Sequence, residues 1–234
     1  EAFNLALTFS REKKVVVEEM IARSGYQVDS DIFMSQGEIA FWIWGDQHQD
    51  IYCHPYAPIG ISFPSVLSQD IQLKAKSQIE EILRKLNFNT GAFNVEFVVD
   101  KDGEVWVIEI GPRNGGNLIP QVIKHVSGVD TIAATVDESI GQIFKKQVPR
   151  VNGYWSSYIV HSREDGVFKE LWLSDRVKPY IVEENIQAKP GDIVRRFSGS
   201  HDTLGTMILK FPSEEIMLEM MDSMENDILV SVVG

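Results

Sequence analysis

Gly91-Ala92-Phe93-Asn94-Val95-Glu96-Phe97-Val98-Val99, then Asp100-Lys101-Asp102-Gly103, then Glu104-Val105-Trp106-Val107-Ile108-Glu109-Ile110 is the stretch from which the rest of the chain can be read. Two apolar runs flank a cluster of turn formers, the pattern of an antiparallel β-hairpin. Val95, Phe97, Trp106 and Ile108 make one face apolar, and Val98, Val105 and Val107 the other, so the hairpin is expected inside a larger fold. Glu96 and Glu109 interrupt it. With Lys101-Asp102 as the turn and Val99 opposite Glu104, Glu96 faces Val107 and Glu109 lies two residues on along the same face. Such a diagonal pair is about 7–8 Å apart, whereas a one-residue slip would put the two on opposite faces. Converging carboxylates repel and are costly to desolvate. A hard cation such as Mg²⁺, bridging them to phosphate oxygens, relieves both problems. Pairing of each glutamate with a lysine or arginine is the plainer alternative.

Directly after the hairpin, Gly111-Pro112-Arg113-Asn114-Gly115-Gly116-Asn117 precedes a predicted helix. Glycines allow close backbone approach, a helix start offers free N–H groups to an anion, and Arg113 brings a planar fork suited to phosphate or carboxylate. Working upstream, the pattern predicts an amphipathic helix over 68–86 and a Pro- and Gly-rich loop over 55–64. It predicts strands over 26–34 and 37–44 and a buried-type strand at Val15-Val16-Val17. Downstream it predicts helices over 118–127 and 130–144, a boundary near 149–153, short strands at 154–161, 167–173, 180–183, 193–197 and 204–211, a helix over 213–225 and a closing strand from 228. The class is α+β with antiparallel sheet predominating, divided into 1–148 and a smaller β-rich domain at 149–234.

With 234 residues and 44% hydrophobic content the chain can bury a sizeable core. Its net charge of −12 and pI near 4.9 argue against nucleic acid or an anionic membrane as the main partner. Cys53 is the single cysteine, so there is no internal disulfide and a reducing, cytoplasmic setting is expected. No apolar run is long enough for a transmembrane helix. The opening Glu1-Ala2-Phe3-Asn4 reads as the interior of a helix, as in a piece of a longer protein.

Gly91 to Phe97 followed by Ile108-Glu109-Ile110-Gly111-Pro112-Arg113 resembles the paired metal-binding strands of the ATP-grasp superfamily, which includes biotin carboxylase, carbamoyl phosphate synthetase and the amino-acid ligases. Val17-Glu18-Glu19-Met20-Ile21 is similar to that family's adenine hinge, and Gln27 falls where the family often has an acidic residue on the ribose. The resemblance covers about 1–145. The tail resembles the β domain appended in biotin carboxylase and the amino-acid ligases, through Gly191-Asp192-Ile193-Val194 and Gly205-Thr206-Met207-Ile208-Leu209.

What the resemblance implies is an ATP-grasp C-terminal subdomain plus a β-rich tail. It implies ATP with Mg²⁺ or Mn²⁺ as cofactors, and Glu96 and Glu109 as metal ligands. Glu18, Glu19, Ile21 and Gln27 would lie on the nucleotide, with Arg113 on an acyl phosphate. The implied chemistry is ligation of a small-molecule carboxylate to an amine, and many members dimerise. Two departures stand out. The family has Asn two residues after the second glutamate, where this chain has Gly111, so Asn114 or Asn117 would have to stand in. The family's glycine-rich loop and phosphate-binding lysines lie upstream of the hinge, so the isolated chain is expected to be inactive and to bind ATP poorly, if at all. A non-catalytic nucleotide-binding module and a structural interaction domain stay open beside the ligase.

The remaining candidates receive plainer readings. Gly45-Asp46-Gln47-His48-Gln49 either faces the nucleotide or substrate, as polar residues at a similar place do in biotin carboxylase, or, the plainer expectation, is a solvated strand end. His161 and His201 are expected as ordinary polar positions or the rim of a substrate pocket. His54 beside Cys53 is too isolated for a nucleophilic pair. Met217, Met220, Met221 and Met224 are core packing, and Glu214-Glu215 marks a helix N-terminus.

Overall fold

The computed structural model describes residues 2–234. In chain order the elements are helix α1 (Ala2–Phe9), strands β1 (Val28–Ser35), β2 (Glu38–Trp42), β3 (Gly45–Gln49) and β4 (Pro58–Phe63), and helix α2 (Gln69–Lys85). The hairpin β5 (Gly91–Val99) and β6 (Val105–Gly111) follows, then helices α3 (Ile119–Ser127) and α4 (Thr131–Ser139). Strands β7 (Tyr154–His161), β8 (Gly166–Leu173), β9 (Ile181–Ile186), β10 (Ile193–Val194) and β11 (Thr203–Phe211), helix α5 (Glu214–Met221) and strand β12 (Ile228–Val233) complete the chain. Antiparallel pairing assembles an α+β fold with a nine-stranded sheet in the order β6-β5-β1-β3-β4-β7-β11-β9, β2 also pairing with β1, and a small sheet β10-β8-β12. The large sheet runs across the boundary expected at 148/149, because β4 pairs with β7 from Gly60↔Tyr158 to Phe63↔Trp155.

Alternation along β1 assigns its two faces. Ile32 and Met34 pack with Ala75, Ile79 and Leu83 of α2. Phe33, between them, packs with Ile119, Val122 and Ile123 of α3. Acid in the first turn of α2 and Arg84 and Lys85 in its last complement the helix dipole. The fully buried Leu83 anchors that helix, and truncating such a side chain to alanine costs about 2–5 kcal/mol. The methionines of α5, with Met224 just beyond, fill the core between the large and small sheets.

Three sequence expectations are corrected. The Pro- and Gly-rich segment is not a loop but contains β4, an interior strand between β3 and β7. Pro58 opens the strand, where a missing N–H is best tolerated. Gly60 is required because a Cβ there would stand 2.6 Å from the Ser157 carbonyl oxygen. Val15 to Val17 form no strand; Val16 and Val17 are 80% and 79% exposed, with no partner strand beside them among the described residues. The hairpin is not enclosed on all sides, because β6 is the sheet's edge, with Trp106 and Ile108 exposed.

Candidate functional site

The glutamates of the hairpin meet by a different route from the one the spacing suggests. Val99 pairs with Val105 rather than Glu104, so Phe97 faces Val107. Continued unbroken, that register would bring Ile108 opposite Glu96. A bulge absorbs Ile108 as an extra residue, and Glu96 pairs directly with Glu109. On the other side of β5, Asp29 pairs with Glu96 and Asp31 with Asn94, while Asn94 pairs with Gly111. Three adjacent strands therefore carry Asp29, Glu96 and Glu109 in one row, with Asp31 and Asn94 in the next.

None of these four acids forms a salt bridge with lysine or arginine among the described residues. Amides hold three of them, Asp29, Asp31 and Glu96, instead. Asn94 Nδ2 donates to Asp29 Oδ1 at 2.7 Å and to Asp31 Oδ1 at 3.1 Å. The Gly115 N–H donates to Asp31 Oδ1 at 2.7 Å, an approach that a Cβ on Gly115 would block, since it would stand 2.8 Å from that oxygen. Gln47 Nε2 donates to Asp29 Oδ2 at 3.2 Å, and Gln27 Nε2 to Glu96 Oε2 at 2.6 Å. Asp31 Oδ2 and Gln47 Oε1 are buried without a partner.

The electrostatics follow from this shortage of cations. Burial, then the charge of Glu96, lifts the Asp29 carboxyl to about 7 against the hydrogen bonds of Gln47 and Asn94. Burial lifts Asp31 to about 6, opposed by Gly115, Asn94 and the nearby Arg113. Glu96 is raised by burial and by Glu109, with the Gln27 hydrogen bond pulling the other way. A face of carboxylate and carboxamide oxygens with unused lone pairs is a donor set that suits a hard divalent cation.

Beside this row lies a cleft of about 390 Å³ between the extended 19–23 segment, the 55–56 turn and the hairpin. Met20, Ile21, Val98, Ile108 and Tyr56 give it apolar walls, and Gln27 joins it to Glu96. The Ser24 N–H donates to the Val99 carbonyl at 2.7 Å and pins the segment to the hairpin, while Arg23 Nη2 donates to Gln49 Oε1 at 3.0 Å. Of the expected nucleotide residues, Glu19, Ile21 and Gln27 line this cleft and Glu18 does not. Arg113 sits over Gly111 with Nη1 donating to the Asn114 carbonyl at 3.2 Å. The Asn114 amide is turned to α4, its Nδ2 donating to Thr135 Oγ1 at 3.0 Å.

Sequence reasoning passed over Asp29, Asp31 and Asn94, and set Gln47 among residues more readily placed at a solvated strand end than on a nucleotide or substrate. Asp29 and Asp31 carry the same signal that exposed the glutamates, acids within an otherwise strand-like segment. Gln47 was ranked low because a solvated strand end was the plainer expectation for Gly45 to Gln49. The correction is that β3 is an interior strand in which Asp46, Gln47 and His48 are buried.

Two further polar clusters belong to the scaffold. Asp50 Oδ1 accepts the Tyr52 N–H at 2.9 Å and the Cys53 N–H at 3.3 Å, while Oδ2 lies 2.6 Å from Arg163 Nε and 3.3 Å from His161 Nε2. Asp50, Cys53 and His161 stand close enough to hold a metal, but the Arg163 guanidinium already supplies the positive charge. His161 is thus buried and paired rather than an ordinary polar position. His48 bridges Ser62 Oγ and Asp222 Oδ1, both at 2.8 Å, and Asp222 also accepts the Tyr26 hydroxyl at 2.5 Å, which ties the C-terminal helix to the strand that begins beside Gln27. No described helix is long and apolar enough to cross a membrane.

Among solved structures the chain is similar to ATP-grasp enzymes over most of its length. It matches phosphoribosylglycinamide synthetase from Anaerococcus prevotii with a TM-score of 0.74 at 22% identity, covering 99% of this chain and 59% of that one. Against L-amino acid ligase from Bacillus licheniformis the TM-score is 0.77 at 15% identity, covering 91% and 55%. Against the biotin carboxylase domain dimer of Hydrogenobacter thermophilus 2-oxoglutarate carboxylase, in complex with MgADP, ADP and bicarbonate, it is 0.74 at 16% identity, covering 100% and 51%. A curated relative, the uncharacterized protein y4rH of Sinorhizobium fredii, is 26% identical over 155 residues, which cover 65% of this chain and 32% of that protein. No family model matches. The chain thus has the fold of a portion of an ATP-grasp enzyme and spans under two thirds of the length of these proteins.

Proposed function

We propose that this chain forms the nucleotide- and metal-binding part of an ATP-dependent ligase that activates a small carboxylate as an acyl phosphate for attack by an amine. The observation that carries the reading is the direct Glu96–Glu109 pair, without a lysine or arginine salt bridge, joined through Gln27 to a neighbouring cleft with apolar walls. The shared fold and the MgADP bound by one structural relative support the same reading.

On this reading the base lies between Met20, Ile21, Val98 and Ile108, with Glu19 and Gln27 at its polar edges. Glu96 and Glu109 would hold Mg²⁺ or Mn²⁺, whose contribution is to neutralise phosphate charge. Arg113 faces the acyl phosphate or the carboxylate, where a planar bidentate donor stabilises the charge that develops. A shortage of local cations would leave the site dependent on that ion, which is how a metal is kept where chemistry needs it. A cytoplasmic, homodimeric protein is part of the proposal.

Gly111 in the family's asparagine position favours as a second reading a module that binds nucleotide without ligating. Calorimetric titration of the chain with ADP, with and without Mg²⁺, tests the site. Metal-dependent binding that falls at least tenfold in Glu96→Gln and Glu109→Gln is expected, as for loss of charged ligands. Binding unchanged in both variants would overturn the assignment.

A further inference from the structure

Gln27 joins the apolar cleft to the carboxylate row, and a second set of contacts holds its neighbour Tyr26 on the opposite face of the sheet. The stretch before them, from Arg11 to Met20, is almost wholly exposed and offers little packing of its own. Side chains alternate along an extended chain, so Gln27 turns to Glu96 while Tyr26 turns the other way, toward His48 and the end of α5. The Gln27 carbonyl accepts the Gln47 N–H at 2.8 Å, which places its backbone beside β3.

The Tyr26 side chain is clasped. Its hydroxyl donates to Asp222 Oδ2 at 2.5 Å, and its ring centroid lies 5.0 Å from that of His48. Burial, then the Asp222 hydrogen bond, push the hydroxyl well above its usual range, so it stays a donor. His48 Nδ1 meets Asp222 Oδ1 at 2.8 Å, and since a carboxylate only accepts, this nitrogen carries the proton. His48 Nε2 lies 2.8 Å from Ser62 Oγ on the interior strand β4, and both residues are buried. Asp222 thus holds Tyr26 with one oxygen and is tied to the core by the other. Burial pushes its carboxyl up, but the hydrogen bonds of His48 and Tyr26 keep it below the usual range.

Helix stability does not explain an acid at this place. Asp222 is the C-cap of α5, where the helix dipole favours cations and disfavours a carboxylate. Its side chain is 49% exposed, so it adds little burial either. What it contributes is its hold on His48 and on Tyr26, a residue 196 positions away in sequence.

We propose that Asp222 is a positioning residue: from behind the sheet, through Tyr26, it sets the Gln27 carboxamide against Glu96. The consequence for nucleotide affinity rests on the ligase reading above; the placement of Gln27 does not. The end of α5 thereby tunes a cleft that it does not line.

The test is NMR of the Gln27 side-chain amide in the full chain, with MgADP then titrated into the same samples. Donation to a carboxylate shifts the amide protons downfield and slows their exchange. In Tyr26→Phe and Asp222→Ala that signal should move to the position of a free carboxamide. MgADP affinity should fall about tenfold, the worth of one hydrogen bond to a charged group. Asp222→Asn should restore both readouts, because its carbonyl accepts from Tyr26 and its amide serves His48 once the ring proton moves to Nε2. Met217→Ala hollows the buried side of α5 without touching the clasp, so it should lower the unfolding midpoint and leave the Gln27 signal in place. Retained amide dispersion reports that each variant folds. A Gln27 signal unmoved in both Tyr26→Phe and Asp222→Ala, or moved equally by Met217→Ala, would overturn the proposal. A signal that moves as expected in a chain whose wild type shows no MgADP binding sinks the ligase reading and leaves the placement of Gln27 standing. Wild-type MgADP binding that the clasp variants leave unchanged sinks the positioning role and spares the nucleotide site.

Discussion

Asp50, just past the end of β3, and Asp29, on β1, are both buried acids of the same large sheet, yet their surroundings treat them oppositely. Burial alone would raise Asp50, but the hydrogen bonds and charge of Arg163, the His161 ring and two backbone N–H groups bring it down to about 2. Asp29 receives only neutral amides and a neighbouring glutamate, and sits at about 7. A carboxylate that holds structure together is supplied with everything its charge needs. One that is left short of a cation keeps capacity for something the chain does not contain. The contrast separates scaffold from site more sharply than acidity does, since the Asp50–Cys53–His161 cluster meets a simple distance test for metal ligands while the Glu96–Glu109 row is the one without a built-in cation.

That contrast can be broken in several ways. The largest effect is expected from Asp50→Ala, which strands Arg163, His161 and two N–H groups. Denaturant unfolding at pH 7 should show a loss of about 3 kcal/mol. Because the folded Asp50 titrates below its usual range, its contribution is complete above about pH 4 and is lost as pH falls toward 2. The gap between wild type and variant should narrow over that window.

Asp29→Asn should move stability the other way. The folded carboxyl at about 7 holds a proton that the unfolded chain has released, so its ionisation costs stability progressively from about pH 4 to pH 7 and fully above. Unfolding at pH 8 should show a gain on the order of 1–3 kcal/mol, absent at pH 4. No gain at pH 8 would mean that Asp29 is as well satisfied as Asp50.

Smaller still, Glu96→Gln should leave stability within about 0.5 kcal/mol of wild type or slightly above it, because burial and Glu109 oppose the charge it removes while Arg113 offsets them without forming a salt bridge. A loss of several kcal/mol would place Glu96 with the scaffold. The smallest effect is expected from Ile108→Ala. The side chain is 54% exposed, so unfolding should hardly change, while on the proposed nucleotide reading the affinity for ADP should drop about threefold through lost apolar contact.

Much of the architecture was legible because periodicity reports burial directly. α2, β7, β12 and the Asp100-to-Gly103 turn lie where the pattern of apolar residues and turn formers predicts them. The misreadings share a cause. Pro58, Gly60 and Pro64 look like breakers, and Asp46 to Gln49 look solvated, because local composition cannot show that a strand lies between two others. Val15 to Val17 look buried because local composition cannot show that a strand lacks a partner.

The amino-acid order alone determined that two glutamates interrupt an apolar hairpin, that a glycine-rich turn with Arg113 follows, and that the fold is α+β. Side-chain alternation and turn chemistry are local properties, written within a few residues. Tertiary structure decided that Ile108 is bulged out so that Glu96 meets Glu109, that Asp29 and Asp31 join them from a strand some 65 residues earlier, and that Tyr26 meets Asp222. Register across strands distant in sequence is set by packing of the whole sheet, and no window of the chain contains it.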